Sequence, residues 1–308
     1  MTANIPTTAA RWTLLSAAML VSVMTSGASA QQSFHSPDDA VNALVGAARI
    51  ADRRAMLGVL GRDGAEIVSS GDDAADAAQR QRFIEAYDAK HAVAMDGDSK
   101  ALLIVGQEDF PFPIPLVRKD GMWQFDTAAG RQEILYRRIG RNELDTIQVC
   151  LAFVDAQNDY AEKDRTGAGV GLYAQRIVSN PGKRDGLYWP ASGTEEESPL
   201  GELFAQAAQE GYAVGRTRAP FHGYYYKILT KQGPNAPGGA LDYVVGGKMI
   251  GGFALVAFPV NYGNTGVMTF LVNHSGQVFE KDMGARGGSI TSFNPDQTWK
   301  AVSPAPNQ

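Results

Sequence analysis

Apolar positions change their spacing twice along this chain. In SPDDAVNALVGAARI, Val41, Leu44, Val45 and Ala48 recur every three or four residues, the period of a helix with one buried face. Ser36 stands before it as an N-cap, Pro37 takes the first helical position and Asp39 meets the helix dipole. A shorter helix is predicted in ADRRAMLGVLG, and a third in GDDAADAAQRQRFIEAYDAKH. Acids open that third segment, Lys90 and His91 close it, and Phe83 and Tyr87 share one side. After His91 the texture becomes that of strands, in AVAMDGDSKALLIVG and FPFPIPLVRKDGMWQFDT. Asp96-Gly97 and Asp120-Gly121, each flanked by apolar runs, predict hairpin turns. The prolines of FPFPIP cannot donate to a central ladder, so that run belongs at an edge or crossing, and Trp123 belongs in the core.

Helical spacing returns in RNELDTIQVCLAFVDAQNDYAEKD, where Leu144, Ile147, Leu151 and Val154 form an apolar stripe with Cys150 beside it. Asn142 followed by Asp145 has capping-box spacing, which predicts a helix start there. A tract rich in Gly, Pro, Ser and acids runs from Gly167 to Pro199, followed by a short helix in SPLGELFAQAAQEG. Three strand-like runs come next: HGYYYKILT, GGFALVAFPV and GVMTFLVNHSGQVFEKD, the last folding back at His274-Ser275-Gly276. Four strands against one long helix make an α+β layer. The expected organisation is a signal peptide at 1–30, an α+β unit at 36–140, a second at 141–296 and a tail at 297–308. The first unit, three helices before a meander, resembles the helical cone with a curved antiparallel sheet of NTF2-like and cystatin-like domains.

The first thirty residues set the compartment. MTANIPTTAARWTLLSAAMLVSVMTSGASA carries one charge, Arg11, then an apolar run from Trp12 to Met24 and a small-x-small ending. That is the pattern of a secretory signal peptide cleaved after Ala30, and the run is short of the roughly 20 residues that span a bilayer. A periplasmic or secreted protein is expected, with Gln31 as its first residue and no membrane span after cleavage. Removing that segment leaves 27 Lys and Arg against 33 Asp and Glu, a formal charge of −6. No basic block offers itself to phosphates, so a nucleic-acid partner is not expected. A lone cysteine, Cys150, allows no internal disulfide, so the fold rests on its core.

Candidate chemistry centres on PFHGYYYKILT. At period two, Tyr224, Tyr226 and Ile228 face the long helix, while Tyr225 and Lys227 face outward as a candidate binding patch. His222 at the strand entrance is the one candidate acid or base. No Ser or Cys stands in a nucleophile motif, Cys150 reads as an inert buried thiol, and no phosphate-cradling loop is present. His35, His91, His222 and His274 lack metal-ligand spacing. The acidic groups Asp72-Asp73-Asp76, Asp96-Asp98 and Glu195-Glu196-Glu197 lack the converging oxygens calcium requires, so neither metal nor cofactor is expected. Tyr188 and Trp189, in DGLYWP, are aromatics on a loop and candidate anchors for a protein or glycan.

Several stretches together carry a family likeness: LGRDGAEIVSSGD, DFPFPIPLVRKDGMWQFDTAAGRQEILYRRIGRNEL, VDAQNDYA, DGLYWP, PFHGYYYKILTKQGPNAPGGA and TGVMTFLVNHSGQVFEKD. Across nearly the whole mature chain they resemble the bacterial exported proteins grouped as domain-of-unknown-function family 2950 (DUF2950), a resemblance that implies no activity. The order of NELDTIQVCLAFVDAQNDYA, GYYY, FALVAFP and TGVMTFLVN is also similar to the globular heads of type IV pilins and pseudopilins, which implies a long helix packed across an antiparallel sheet. The prepilin cleavage signature is missing. These readings favour a non-catalytic exported protein that binds or assembles within the cell envelope. The alternative is an envelope hydrolase or lyase with its site near His222 or in the N-terminal cone, where Asp109 and Asp126 would be the groups to converge.

Overall fold

Ser36 sets the first helix, α1 (Pro37–Arg49), by accepting from Asp39 N at 3.1 Å. Asp52 caps α2 (Arg53–Leu60) in the same way. A one-turn α3 (Ala65–Val68) follows, and Asp72 caps α4 (Asp73–Ala89). The computed structural model describes Met1, residues 31–212 and residues 219–302. Beyond Met1, the expected signal peptide lies outside the described residues. The described residues from Gln31 onward form one compact unit.

The first sheet is antiparallel. Strands β1 (His91–Asp96) and β2 (Lys100–Val105) form a hairpin paired from His91 with Val105 to Asp96 with Lys100. Strand β3 (Phe110–Pro111), from the proline-rich run, pairs only with the end of β2. Strand β4 (Leu116–Lys119) takes the other end of β2 and turns at Asp120-Gly121 into β5 (Met122–Phe125). Period two holds in β2, where Ala101, Leu103 and Val105 are buried. Those side chains meet Val41, Leu44, Val45, Leu116 and Phe125 in a first hydrophobic core, together with Trp123.

Helix α5 runs from Thr127 to Glu162, 36 residues, and so about 54 Å at the usual rise. It starts fifteen residues before the expected cap at Asn142, with Asp126 accepting from Ala129 N. The glycine in RRIGRNEL does not stop it, because an isolated glycine costs only about 1 kcal/mol in a run of good helix formers. Gly130 is needed: a Cβ there would lie 2.5 Å from Pro113 O and 2.7 Å from Ile114 Cα. Asn142 is buried inside the helix and caps nothing. Ile134 packs in the first core, whereas Cys150, Phe153 and Val154 pack in a second, so one rod serves both.

After the short helix α6 (Gly201–Gln209) comes β6 (Tyr224–Leu229), followed by two small hairpins. These are β7 (Lys231–Gln232) with β8 (Leu241–Asp242), and β9 (Val244–Val245) with β10 (Lys248–Met249). Strands β11 (Ala254–Pro259), β12 (Met268–Asn273), β13 (Val278–Asp282) and β14 (Lys300–Ala301) complete an antiparallel sheet in the order β14-β13-β12-β11-β6. Residues of the expected tail thus supply a fifth strand. Helix α5 lies against β11, β12 and β13. The second core combines Phe153 of α5 with Phe253, Leu255, Phe270 and Leu271, and the rings of Phe153 and Phe253 meet edge to face at 5.6 Å. The fold is α+β. Among the described residues no helix is long and apolar enough to cross a membrane.

Candidate functional site

Strand β6 places its alternate side chains on two different surfaces. Tyr224 is buried and donates from Oη to Met268 O at 2.9 Å, and Tyr226 Oη lies 3.3 Å from Thr146 Oγ1 of α5. On the other face Tyr225 and Lys227 are half-buried, not freely exposed. The turn Gly284–Ser289 packs there: Tyr225 leans on Phe258 at 5.7 Å, and Lys227 Nζ donates to Gly288 O at 3.0 Å.

His222, just ahead of β6, has a left-handed backbone with φ 49°, a region that side chains with a Cβ seldom occupy. Its imidazole, 16% exposed, sits between two carboxylates. Nδ1 is 3.5 Å from Asp145 Oδ2 on α5, and Nε2 is 3.7 Å from Glu210 Oε2 at the end of α6. The His222 amide donates to Tyr212 Oη at 3.1 Å, and Phe221 covers the ring at 3.9 Å. A base oriented by a carboxylate is half of a nucleophilic site. The other half is not supplied by Cys150, fully buried on α5, whose thiol burial pushes up to about 12 and so keeps protonated.

Below His222 the structure gathers a seam of buried polar groups. Asp72, only 1% exposed, accepts from Ala75 N at 3.1 Å as a helix cap, from Gly223 N at 2.9 Å and from Tyr212 Oη at 3.1 Å. Burial first, and then the Asp72 charge, push the Tyr212 phenol well above its ordinary range, which keeps it a donor. Arg138 of α5, also buried, donates to Glu66 O at 2.6 Å, Ile67 O at 2.9 Å and Asn264 Oδ1 at 2.5 Å. Asn142 Nδ2 donates to Thr265 O at 2.9 Å, and the Glu143 carboxylate accepts from Val267 N and Met268 N. Gly223, at φ 75°, must be glycine on two grounds, since a Cβ would also stand 2.4 Å from Asn142 Nδ2. Burial lifts the Asp76 carboxyl above the usual carboxylate range and depresses the Arg138 guanidinium. These bonds tie the first helices to α5 and to the strand-bearing half.

The aromatic pair of the loop tract is not an open anchor. Trp189 is 5% exposed, donates from Nε1 to Glu196 O at 3.0 Å and is flanked by the guanidinium groups of Arg165 at 5.9 Å and Arg184 at 5.5 Å. Tyr188 stacks on Phe204 of α6 at 3.9 Å. Arg165, whose side chain is 2% exposed, bridges Asp159 and Glu196, and Glu196 also holds Lys163 and Arg184. Those cations, Lys163 first, hold the Glu196 carboxyl below its usual range. The tract is thus packed around its own ion network, with Trp189 buried in it and Tyr188 half-buried against α6.

Other expected groups do not join His222. Asp109 pairs with Lys90 on the surface at 2.6 Å, and Asp126 caps α5. His91 stacks on Tyr87 at 3.8 Å, and His274 meets the Tyr243 ring edge-on. Among the described residues no three His, Cys, Asp or Glu side chains gather in a metal-holding group.

A surface that sequence reasoning missed lies around β8, β9 and β10. Leu241, Val245 and Ile250 are exposed there, as is Val170 of the preceding loop tract. Cross-bonds join these segments: Lys248 Nζ to Ala168 O at 3.1 Å, Gln175 Nε2 to Gly247 O at 2.8 Å and a bridge between Tyr173 and Met249. An open groove of about 350 Å³ runs beside β7 and β8, lined by Lys231, Gln232, Leu241, Asp242 and Ser292. Two-residue strands leave too short an alternation for the pattern to show in the sequence.

Comparison with known proteins adds one finding. No curated protein and no solved structure matches the chain. The family model described as "Protein of unknown function (DUF2950)" matches residues 31–302, nearly everything outside the amino-terminal thirty residues, and the chain belongs to that family.

Proposed function

We propose that this is an exported, non-catalytic protein of the cell envelope, periplasmic or secreted after cleavage behind Ala30, that binds or assembles with an envelope protein or glycan. The observation that carries the reading is the contrast between its polar and apolar groups. His222, Asp145, Glu210, Tyr212 and Asp72 are engaged with one another. Val170, Leu241, Val245 and Ile250 are exposed with no such internal use, and Leu241 lines an open groove. Exposed apolar side chains grouped next to a concavity are the usual mark of a contact surface. A long helix across an antiparallel sheet supports the likeness of the second half to pilin heads, and three helices before a meander support the likeness of the first half to NTF2-like cones.

The test is capture. Envelope extract passed over the wild-type protein and over a Val245→Asp, Ile250→Asp variant should yield a bound protein or glycan that the variant loses by tenfold or more. Equal capture contradicts the assignment of the face. A second reading, a hydrolase or lyase, draws on the left-handed backbone of His222 and its two carboxylates, since strained backbone gathers at reactive sites. Turnover of an envelope polymer that His222→Ala abolishes in a still-folded protein would establish it in place of the first.

A further inference from the structure

The amino-terminal strap of the described chain is fastened on both sides. Gln31 Nε2 donates to Val59 O of α2 at 3.0 Å and to Phe125 O at the end of β5 at 2.7 Å. Gln32 N donates to Gly58 O at 2.9 Å, and Phe34 exchanges two backbone bonds with Trp123, at 2.8 and 2.7 Å. Two glycines of α2 and its C-cap clear the way. A Cβ on Gly61 would stand 3.1 Å from Gln31 Oε1, and one on Gly58 would stand 3.2 Å from Gln32 Nε2. The two amide hydrogens of Gln31 are therefore both in use, one on each neighbouring element.

That residue has a chemistry of its own once it is first in the chain, which rests on the cleavage behind Ala30 proposed above. The free α-amine of an amino-terminal glutamine attacks its own side-chain Cδ. A new C–N bond closes a five-membered lactam, the Cδ–Nε2 bond breaks, and Nε2 departs as ammonia with a proton taken from the amine. The product has lost the positive amino terminus and the amide that made both hydrogen bonds.

We propose that Gln31 is a protected modification site: docking of its amide between α2 and β5 holds the mature amino terminus out of lactam closure, and closure proceeds only when the strap lifts. Ring formation pulls Cδ back toward its own nitrogen, so Nε2 leaves both carbonyl acceptors before the new bond forms. Breaking two partly buried hydrogen bonds slows the reaction at least about tenfold relative to a free chain end. The amine is retained while the fold is intact, and the strap contributes to holding α2 on β5.

Intact-mass spectrometry of the full-length gene product, isolated after export, tests this. The protein is held in native buffer and in urea, and a synthetic peptide of residues 31–40 is followed alongside. The expected result is a chain starting at Gln31 that keeps its ammonia in native buffer, with loss at least tenfold faster in urea, where the rate matches that of the peptide. Native and unfolded protein losing ammonia equally fast, or a protein isolated entirely as the lactam, overturns the proposal while leaving the cleavage intact. A mass that begins at any other residue overturns the cleavage and this proposal together.

Discussion

Replacing Asp72 by alanine is expected to cost about 4 kcal/mol, a large part of the 5–15 kcal/mol that a domain has. Three donors converge on this one carboxylate: Ala75 N, Gly223 N and Tyr212 Oη. Losing the cap alone costs about 1 kcal/mol. The other two donors come from the far half of the chain and would be left unsatisfied where the structure admits little water, at about 1–3 kcal/mol each. Asp72→Asn retains one acceptor oxygen and should lose about half as much. Urea unfolding followed by circular dichroism gives both values, and a loss under 1 kcal/mol for the alanine variant would mean that the seam is not fastened there.

Arg138→Ala should cost about 3 kcal/mol. The guanidinium leaves α5 to reach two carbonyls at the end of α3 and the Asn264 side chain, and burial depresses it without a directly bonded carboxylate. Truncation strands those acceptors and leaves a gap in their midst. Lysine has the charge but not the planar fork, so Arg138→Lys should recover less than half of the loss. The same unfolding series checks this, and full rescue by lysine would show that charge alone matters at the position.

Local chemistry was what the sequence disclosed best. Ser36 with Pro37, the Asp-Gly hairpins and the two faces of β6 all follow from neighbours within a few residues. The start of α5 was hidden because Gly140 and Asn142 look like a break and a cap, while the residues around them sustain a helix that packs on two cores. Asp72 was legible only by half. Its capping role lies three residues away, whereas its bonds to Tyr212 and Gly223 span 140 and 151 positions. His222 was singled out for its residue type, yet its partners Asp145 and Glu210 become visible only when α5 and α6 are placed. Trp189 is the reverse case, since its place on a loop is legible while its burial appears only when Arg165 and Arg184 are seen beside it.

Calorimetry of residues 31–308 puts the joining of the two cores to the most direct test. Leu103→Ala empties part of the first core and Leu271→Ala part of the second, each at about 2–5 kcal/mol. If α5, Asp72 and Arg138 fasten the halves as described, wild type melts in a single transition whose calorimetric and van't Hoff enthalpies agree, and either variant lowers that same transition. Two separable transitions, with each variant moving only the one belonging to its own core, would contradict it.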